Sequence, residues 1–332
     1  MCHRANLVSS LILADMLSMS VVSRGLLFMF TLFAVHGVNG QEIYNMTDPA
    51  GFERQYYVTM PSAAPTGLIV ALTPGDITGA MWFCRKELAE VSAKTGAMVV
   101  CPAARIFNSS GPGHPGQPAA CWRSFANYGY CMGGKPEDSE DVDFLAALIE
   151  RIKAQHTIPE GRTIMSGISN GGSGAYRFNC ERSEMIDGLV IGIQAWFDPW
   201  VGYFDYVNHR LPTGTPQCKP KKQVPLYSAD GTADWFYGQP PCFPGFESVA
   251  NWQNYSVDVL GCTGPRTVTQ KGPHSFPQGK TECYTYPSCP GITGSGLNVM
   301  CEVQNMTHDG SSLGILLPAA FEDFFGTGRT HT

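Results

Sequence analysis

Residues 163–178, TIMSGISNGGSGAYRF, set a serine among glycines where an apolar, β-branched run gives way to a helical pattern. Gly167-Ile168-Ser169-Asn170-Gly171 fits G-x-S-x-G, the sharp strand-to-helix turn that lifts a serine oxygen above the end of a sheet. A serine there is a nucleophile, or it is simply the cap of the next helix. Nucleophilic work requires a histidine to take the hydroxyl proton and a carboxylate to orient that histidine. On a turn of this type the chain order is serine, acid, histidine, so both partners lie downstream of Ser169. The run VPLYSADGTADWF (224–236) ends a candidate strand and offers two acids, Asp230 and Asp234, of which Asp230, before Gly231, also suits a plain turn. The downstream histidines are His209, His274, His308 and His331. His308, in NMTHDGSS between the last strand-like run and the last helical one, has a loop that can return over the serine, and His274 in KGPHSFP is its rival.

The elements that must hold these groups alternate in type. GLIVAL (67–72) and AMVVCP (97–102) read as buried strands, with a helix over MWFCRKELAEVSAKTG between them that Gly96 closes. Residues 103–136 are rich in Gly, Pro, Ser and Asn and read as a long irregular loop carrying Cys121 and Cys131. In EDSEDVDFLAALIERIKAQH, Phe144, Leu145, Leu148, Ile149 and Ile152 share one helical stripe behind an acidic first turn. Beyond the serine come GLVIGIQAW (188–196), an aromatic-rich excursion over about 197–223, and the strand run at 224–230. A helix around 247–260, strand-like pieces RTVTQK, CYTYP and LNVMCEVQNM, and a final helix ILLPAAFEDFF complete the pattern. The order predicts an α/β domain, a mostly parallel sheet with helices on both faces.

Bulk properties bound the partners and the compartment. The 332 residues suit one large α/β domain, and 43% hydrophobic and 15% charged residues with a net charge of −6 exclude a polyanion-binding, nucleic-acid role. RGLLFMFTLFAVHGVNGQ (24–41) has a basic start, a short apolar core and small residues near a cleavage point, so residues 1–40 read as a secretory signal, with Met16 or Met19 an alternative start. The apolar core is shorter than the roughly 20 residues that span a bilayer, so no stable membrane association is expected after cleavage. Eleven cysteines then remain in residues 41–332, an odd number that predicts disulfides in an oxidising compartment and one leftover thiol. No CxxC pair or zinc-spaced histidine segment is present, so neither metal nor organic cofactor is expected. Sequons at Asn45, Asn108, Asn254 and Asn305 agree with export.

The run from EDSEDVDF to GAYRFNCE resembles secreted serine esterases of carbohydrate esterase family one, which groups feruloyl and acetylxylan esterases with polyhydroxybutyrate depolymerases. The elbow G-x-S-N-G-G followed by A-Y, the Cys121-Trp122 pair, VPLYSADGTAD and GCTGPRTVTQKG with CYTYPSC carry the likeness across nearly all of residues 41–332. The resemblance implies the α/β-hydrolase fold, with Ser169 as nucleophile, Asp234 as acid, His308 as base and Trp122 as a substrate contact. Two departures stand out. Where the family has His-Gly after the first core strand this chain has Thr73-Pro74-Gly75, which leaves the backbone N–H groups of Asn170 and Gly75 as the oxyanion-hole donors, since proline has none. The family's Gly-Gly-Gly-His is replaced by Asn305-Met306-Thr307-His308, and a glycan on Asn305 would crowd that histidine.

Trp196 stands at the start of the excursion after GLVIGIQAW and Trp235 immediately follows the proposed acid, each with further aromatics, and together they suggest an apolar or aromatic acyl site. The expected partner is an ester of a polysaccharide, feruloyl or acetyl, or a polyhydroxyalkanoate polyester. The alternatives are a serine peptidase and a catalytically impaired secreted protein that binds carbohydrate or polymer on the same fold.

Overall fold

A strand whose faces are both buried has no polar side, and Leu68–Leu72, Met98–Pro102, Thr163–Ile168 and Gly188–Gly192 are buried at every position. The computed structural model describes residues 41–75, 79–108, 118–122, 140–192, 218–234, 248–269, 281–294, 296–308 and 313–326. All of them belong to one compact unit, Val35–Thr332.

In chain order, β1 (Gln41–Thr47) and β2 (Glu53–Thr59) form an antiparallel hairpin that the sequence did not signal, because polar residues interrupt its apolar ones. Then come β3 (Leu68–Leu72), α1 (Gly79–Thr95) and β4 (Met98–Pro102), the expected βαβ unit, and Gly96 at φ 67° ends the helix. β5 (Arg105–Asn108) and β6 (Pro118–Cys121) pair as a separate two-stranded sheet. They correct the reading of 103–136 as irregular throughout: two four-residue strands are too short to outweigh the turn-forming composition around them.

α2 (Glu140–Gln155), β7 (Thr163–Ile168), α3 (Asn170–Arg182), β8 (Gly188–Gly192) and β9 (Leu226–Gly231) follow the predicted alternation. α4 (Ser248–Asn254) runs into a wider turn over Tyr255–Val259, and β10 (Thr267–Thr269), β11 (Thr281–Thr285), β12 (Asn298–Val303) and α5 (Leu313–Phe325) complete the described chain.

The large sheet runs β1-β2-β4-β3-β7-β8-β9-β12-β11-β10. Its interior from β4 to β12 is parallel, and the hairpin β1–β2 and the pair β10–β11 add antiparallel edges. Alternate residues of β3 feed two cores. Leu68, Val70 and Leu72 join the apolar stripe of α2 and the inner residues of α3, while Ile69 and Ala71 join Leu88 and Val91 of α1 and Leu316, Leu317 and Phe321 of α5. Each fully buried Leu, Ile or Phe of the α2 stripe contributes about 1.5–3 kcal/mol. This layering, with a serine turn after the central strand β7, is the α/β-hydrolase fold.

One buried charge ties the N-terminal hairpin to this core. The Arg54 guanidinium meets Asp141 Oδ1 at 2.8 Å and Asp48 Oδ2 at 3.4 Å, and lies 4.1 Å from the centre of the Phe144 ring. Removing one partner of a buried pair strands the others, so Arg54→Ala is expected to lower stability by about 3–5 kcal/mol in urea unfolding. A loss below about 1 kcal/mol would show that the site is solvated instead.

Disulfides join Cys84 to Cys101, Cys180 to Cys218, Cys262 to Cys289 and Cys283 to Cys301, and Cys121 is also disulfide-bonded. No described cysteine is free, so the odd thiol expected from the count has no place among the described residues. Among the described residues no helix is long and apolar enough to cross a membrane.

Candidate active site

The turn after β7 is built for close approach. A methyl group on Gly167 would run into the backbone of Gly171 and Gly172, and one on Gly171 into the carbonyls of Leu72 and Thr73. Both glycines therefore let the first turn of α3 sit directly on the ends of β7 and β3. Ser169 is forced to φ 53°, ψ −124°, a conformation that side-chain-bearing residues rarely adopt. Its N–H donates to the Gly192 carbonyl at 3.1 Å and its carbonyl accepts from Ser173 N–H at 3.1 Å, so backbone bonds fix the residue on both sides. Gly171→Ala is expected to cost about 3 kcal/mol or more, read from the urea midpoint, because the obstruction is backbone that cannot rotate away. An unchanged midpoint would mean the turn is looser than its geometry.

The cap reading of Ser169 fails on its hydroxyl, which makes no bond to the helix N–H groups. Oγ instead lies 2.8 Å from His308 Nε2. His308 Nδ1 lies 2.8 Å from Asp234 Oδ2. An ionised carboxylate only accepts, so Nδ1 carries the hydrogen and Nε2 presents its lone pair to the serine hydroxyl. The Asp234 side chain is 5% exposed and that of His308 21%, which leaves the ring partly open to an incoming molecule.

Two loops bring acid and histidine together. Thr232 N–H donates to Val303 O at 3.0 Å, Ala233 N–H to Met306 O at 3.1 Å, and Asn305 N–H to Thr232 Oγ1 at 3.0 Å. The segments after β9 and β12 are thus laced together just beyond the carboxyl ends of two adjacent parallel strands. Gly231 permits it, since a methyl there would overlap the Met306 carbonyl. Asn305, at φ 64°, turns the chain toward His308, and asparagine tolerates that left-handed conformation. Asp230, the other candidate acid, is buried within β9 opposite Glu302, and the acid found at 2.8 Å from His308 Nδ1 is Asp234.

Asn170 opens α3, so its N–H belongs to the helix's first turn, at the positive end of the dipole. Gly75 sits beside it: a methyl on Gly75 would lie 3.2 Å from Asn170 Cβ. The two segments expected to supply oxyanion-hole donors are therefore neighbours. Trp122 departs from its expected role. It is fully buried, its N–H donates to Asn170 Oδ1 at 2.7 Å and its indole Nε1–H to the Thr73 carbonyl at 3.0 Å. A ring with no exposed surface and its donor occupied is not an open substrate platform. Trp196, Trp235 and the rival histidines His209, His274 and His331 lie outside the described residues. The Asn170–Trp122 pairing was missed in the sequence, where the two lie 48 positions apart with no spacing rule to connect them.

No family model and no curated protein matches the chain. Solved structures with a similar chain course include an acetyl xylan esterase from Aspergillus awamori, with 14% identity, TM-score 0.47 and coverage of 80% of this chain and 93% of that one. An S-formylglutathione hydrolase from Agrobacterium tumefaciens gives 14% identity, TM-score 0.49 and coverage of 86% and 94%. The siderophore hydrolase EstB from Aspergillus nidulans gives 13%, 0.47, and 88% and 96%. Likeness at this level bears on neither substrate nor residue roles.

Proposed function

We propose that this chain is a serine carboxylic-ester hydrolase. The observation that carries the reading is the strained Ser169, whose hydroxyl meets His308 while His308 meets Asp234, each at 2.8 Å. In this reading Ser169 Oγ attacks the ester carbonyl carbon as its proton passes to His308 Nε2. The tetrahedral oxyanion rests on the N–H groups of Asn170 and Gly75, and collapse expels the alcohol, which takes the proton from His308. Water then attacks the acyl-enzyme with His308 again as base, releasing the acid and restoring Ser169 Oγ–H. Asp234 keeps the imidazole in the tautomer that both steps need.

The finer reading is a secreted enzyme in which residues 1–40 are removed and 41–332 form one catalytic domain, acting on feruloyl or acetyl esters of polysaccharide or on polyhydroxyalkanoate. Its support is the family-like elbow, the disulfides in the fold and the aromatic composition of the flanking loops. Purified protein assayed on methyl ferulate, acetylated xylan, a poly(3-hydroxybutyrate) film and a peptide amide tests it. Turnover of any ester with none of the amide is the expected result. Preferential amide cleavage would make the chain a peptidase, and folded protein that binds polymer without cleaving any ester would make it a binding protein.

A further inference from the structure

We infer that Trp122 and the side chain of Asn170 form a clamp that fixes the distance between the two loops carrying the oxyanion-hole donors, so that Trp122 is a positioning residue for acyl transfer. The inference rests on the esterase reading and adds to it the device that makes the altered Thr73-Pro74-Gly75 loop competent.

The clamp is a closed set of hydrogen bonds. Asn170 Oδ1 accepts the Trp122 backbone N–H at 2.7 Å, and Asn170 Nδ2 donates to the Trp122 carbonyl at 3.1 Å. Paired in both directions, the amide has one orientation and cannot turn toward solvent. From the same residue the indole Nε1–H reaches the Thr73 carbonyl at 3.0 Å. Trp122 is thus bonded at once to the residue after the proposed nucleophile and to the residue after β3. Its side chain rests on α3 at Gly174, where an added methyl would come within 3.1 Å of Trp122 Cβ.

The loop after β3 has need of such an anchor. Pro74 contributes no N–H, which leaves Gly75 as the nearest backbone donor. The Thr73 hydroxyl is buried and has no hydrogen-bond partner among the described residues. What holds the loop is the indole bond to Thr73 and the approach of Gly75 to the Asn170 side chain. Oxyanion donors work only when they lie about 2.7–3.1 Å from the developing charge, and a misplacement of about 1 Å can cost a hundredfold in rate. A loop fixed on one side and free on the other would not meet that tolerance.

Trp122→Phe keeps an aromatic ring in the site but removes the indole N–H together with the pyrrole part of the ring system. With rates normalised to serines titrated by a fluorophosphonate, kcat on a soluble phenyl ester is expected to fall roughly ten- to hundredfold while KM stays within about threefold. Asn170→Ala removes the paired bonds and is expected to show the same split. It also carries the test if Trp122→Phe does not fold. The double variant is expected to fall no further than the worse single one by more than about threefold, since the two side chains act as one unit. Unchanged kcat per titrated site, with only thermal stability reduced, would overturn the clamp and leave Trp122 a packing residue. A raised KM with unchanged kcat would overturn it in favour of direct substrate contact. A folded parent with no titratable serine would overturn the esterase reading itself, and the clamp with it.

Discussion

Ser169→Ala is expected to lower ester turnover by on the order of a millionfold, to the level left by binding and the oxyanion hole alone. The loss is that large because Oγ, 2.8 Å from His308 Nε2, is the atom that forms the acyl bond. Stability should hardly change. The hydroxyl caps no helix, and the backbone bonds from Ser169 to Gly192 and Ser173 persist without it. Nor does alanine relieve the turn, since it carries the same Cβ at φ 53°. The variant therefore separates chemistry from folding: initial rates on methyl ferulate or phenyl acetate should vanish at an unchanged thermal midpoint. Residual turnover within about tenfold of the parent would assign the nucleophile elsewhere.

Asp234→Asn is the second large effect, on the order of ten-thousandfold in kcat. The carboxylate at 2.8 Å from Nδ1 only accepts, and this forces the tautomer whose Nε2 accepts from Ser169. An amide in its place can donate to Nδ1 and reverse that tautomer, leaving Nε2 protonated and of no use as a base. The shape of the loop should survive, since Gly231, Thr232 and Ala233 hold it through backbone bonds. Asp230→Asn is the control, because Asp230 is a buried residue within β9, opposite Glu302 of β12. Its kcat per folded molecule should match the parent, and a comparable loss in both variants would undo the assignment of the acid.

The turn at Ser169 was legible in residue types because it restricts its own sequence: Gly167 and Gly171 meet backbone that no side chain could share. Strands buried on both faces, such as β3 and β4, were legible for a similar reason, with no polar residue to mask the pattern. The choice between Asp230 and Asp234 was not, since it depends on β9 extending through Gly231 so that the first acid is a strand residue. His308 was left beside His274 as a rival because its approach depends on Met306 and Asn305 bonding to the acid loop, which are contacts over 70 positions apart. The hairpin β1–β2 and the ribbon β5–β6 went unseen. Their stability comes from pairing and from buried partners such as Arg54 with Asp141, which no local window contains.

Activation of Ser169 by His308 underlies every step proposed for this site. Its most direct test is the second-order rate of fluorophosphonate labelling of the purified parent, compared with His308→Ala at the same folded concentration. The expected result is a parent modified once, at Ser169 by peptide mapping, and a rate at least about a thousandfold lower without the imidazole. Well-folded parent protein that does not label, or that labels equally fast without His308, would contradict it.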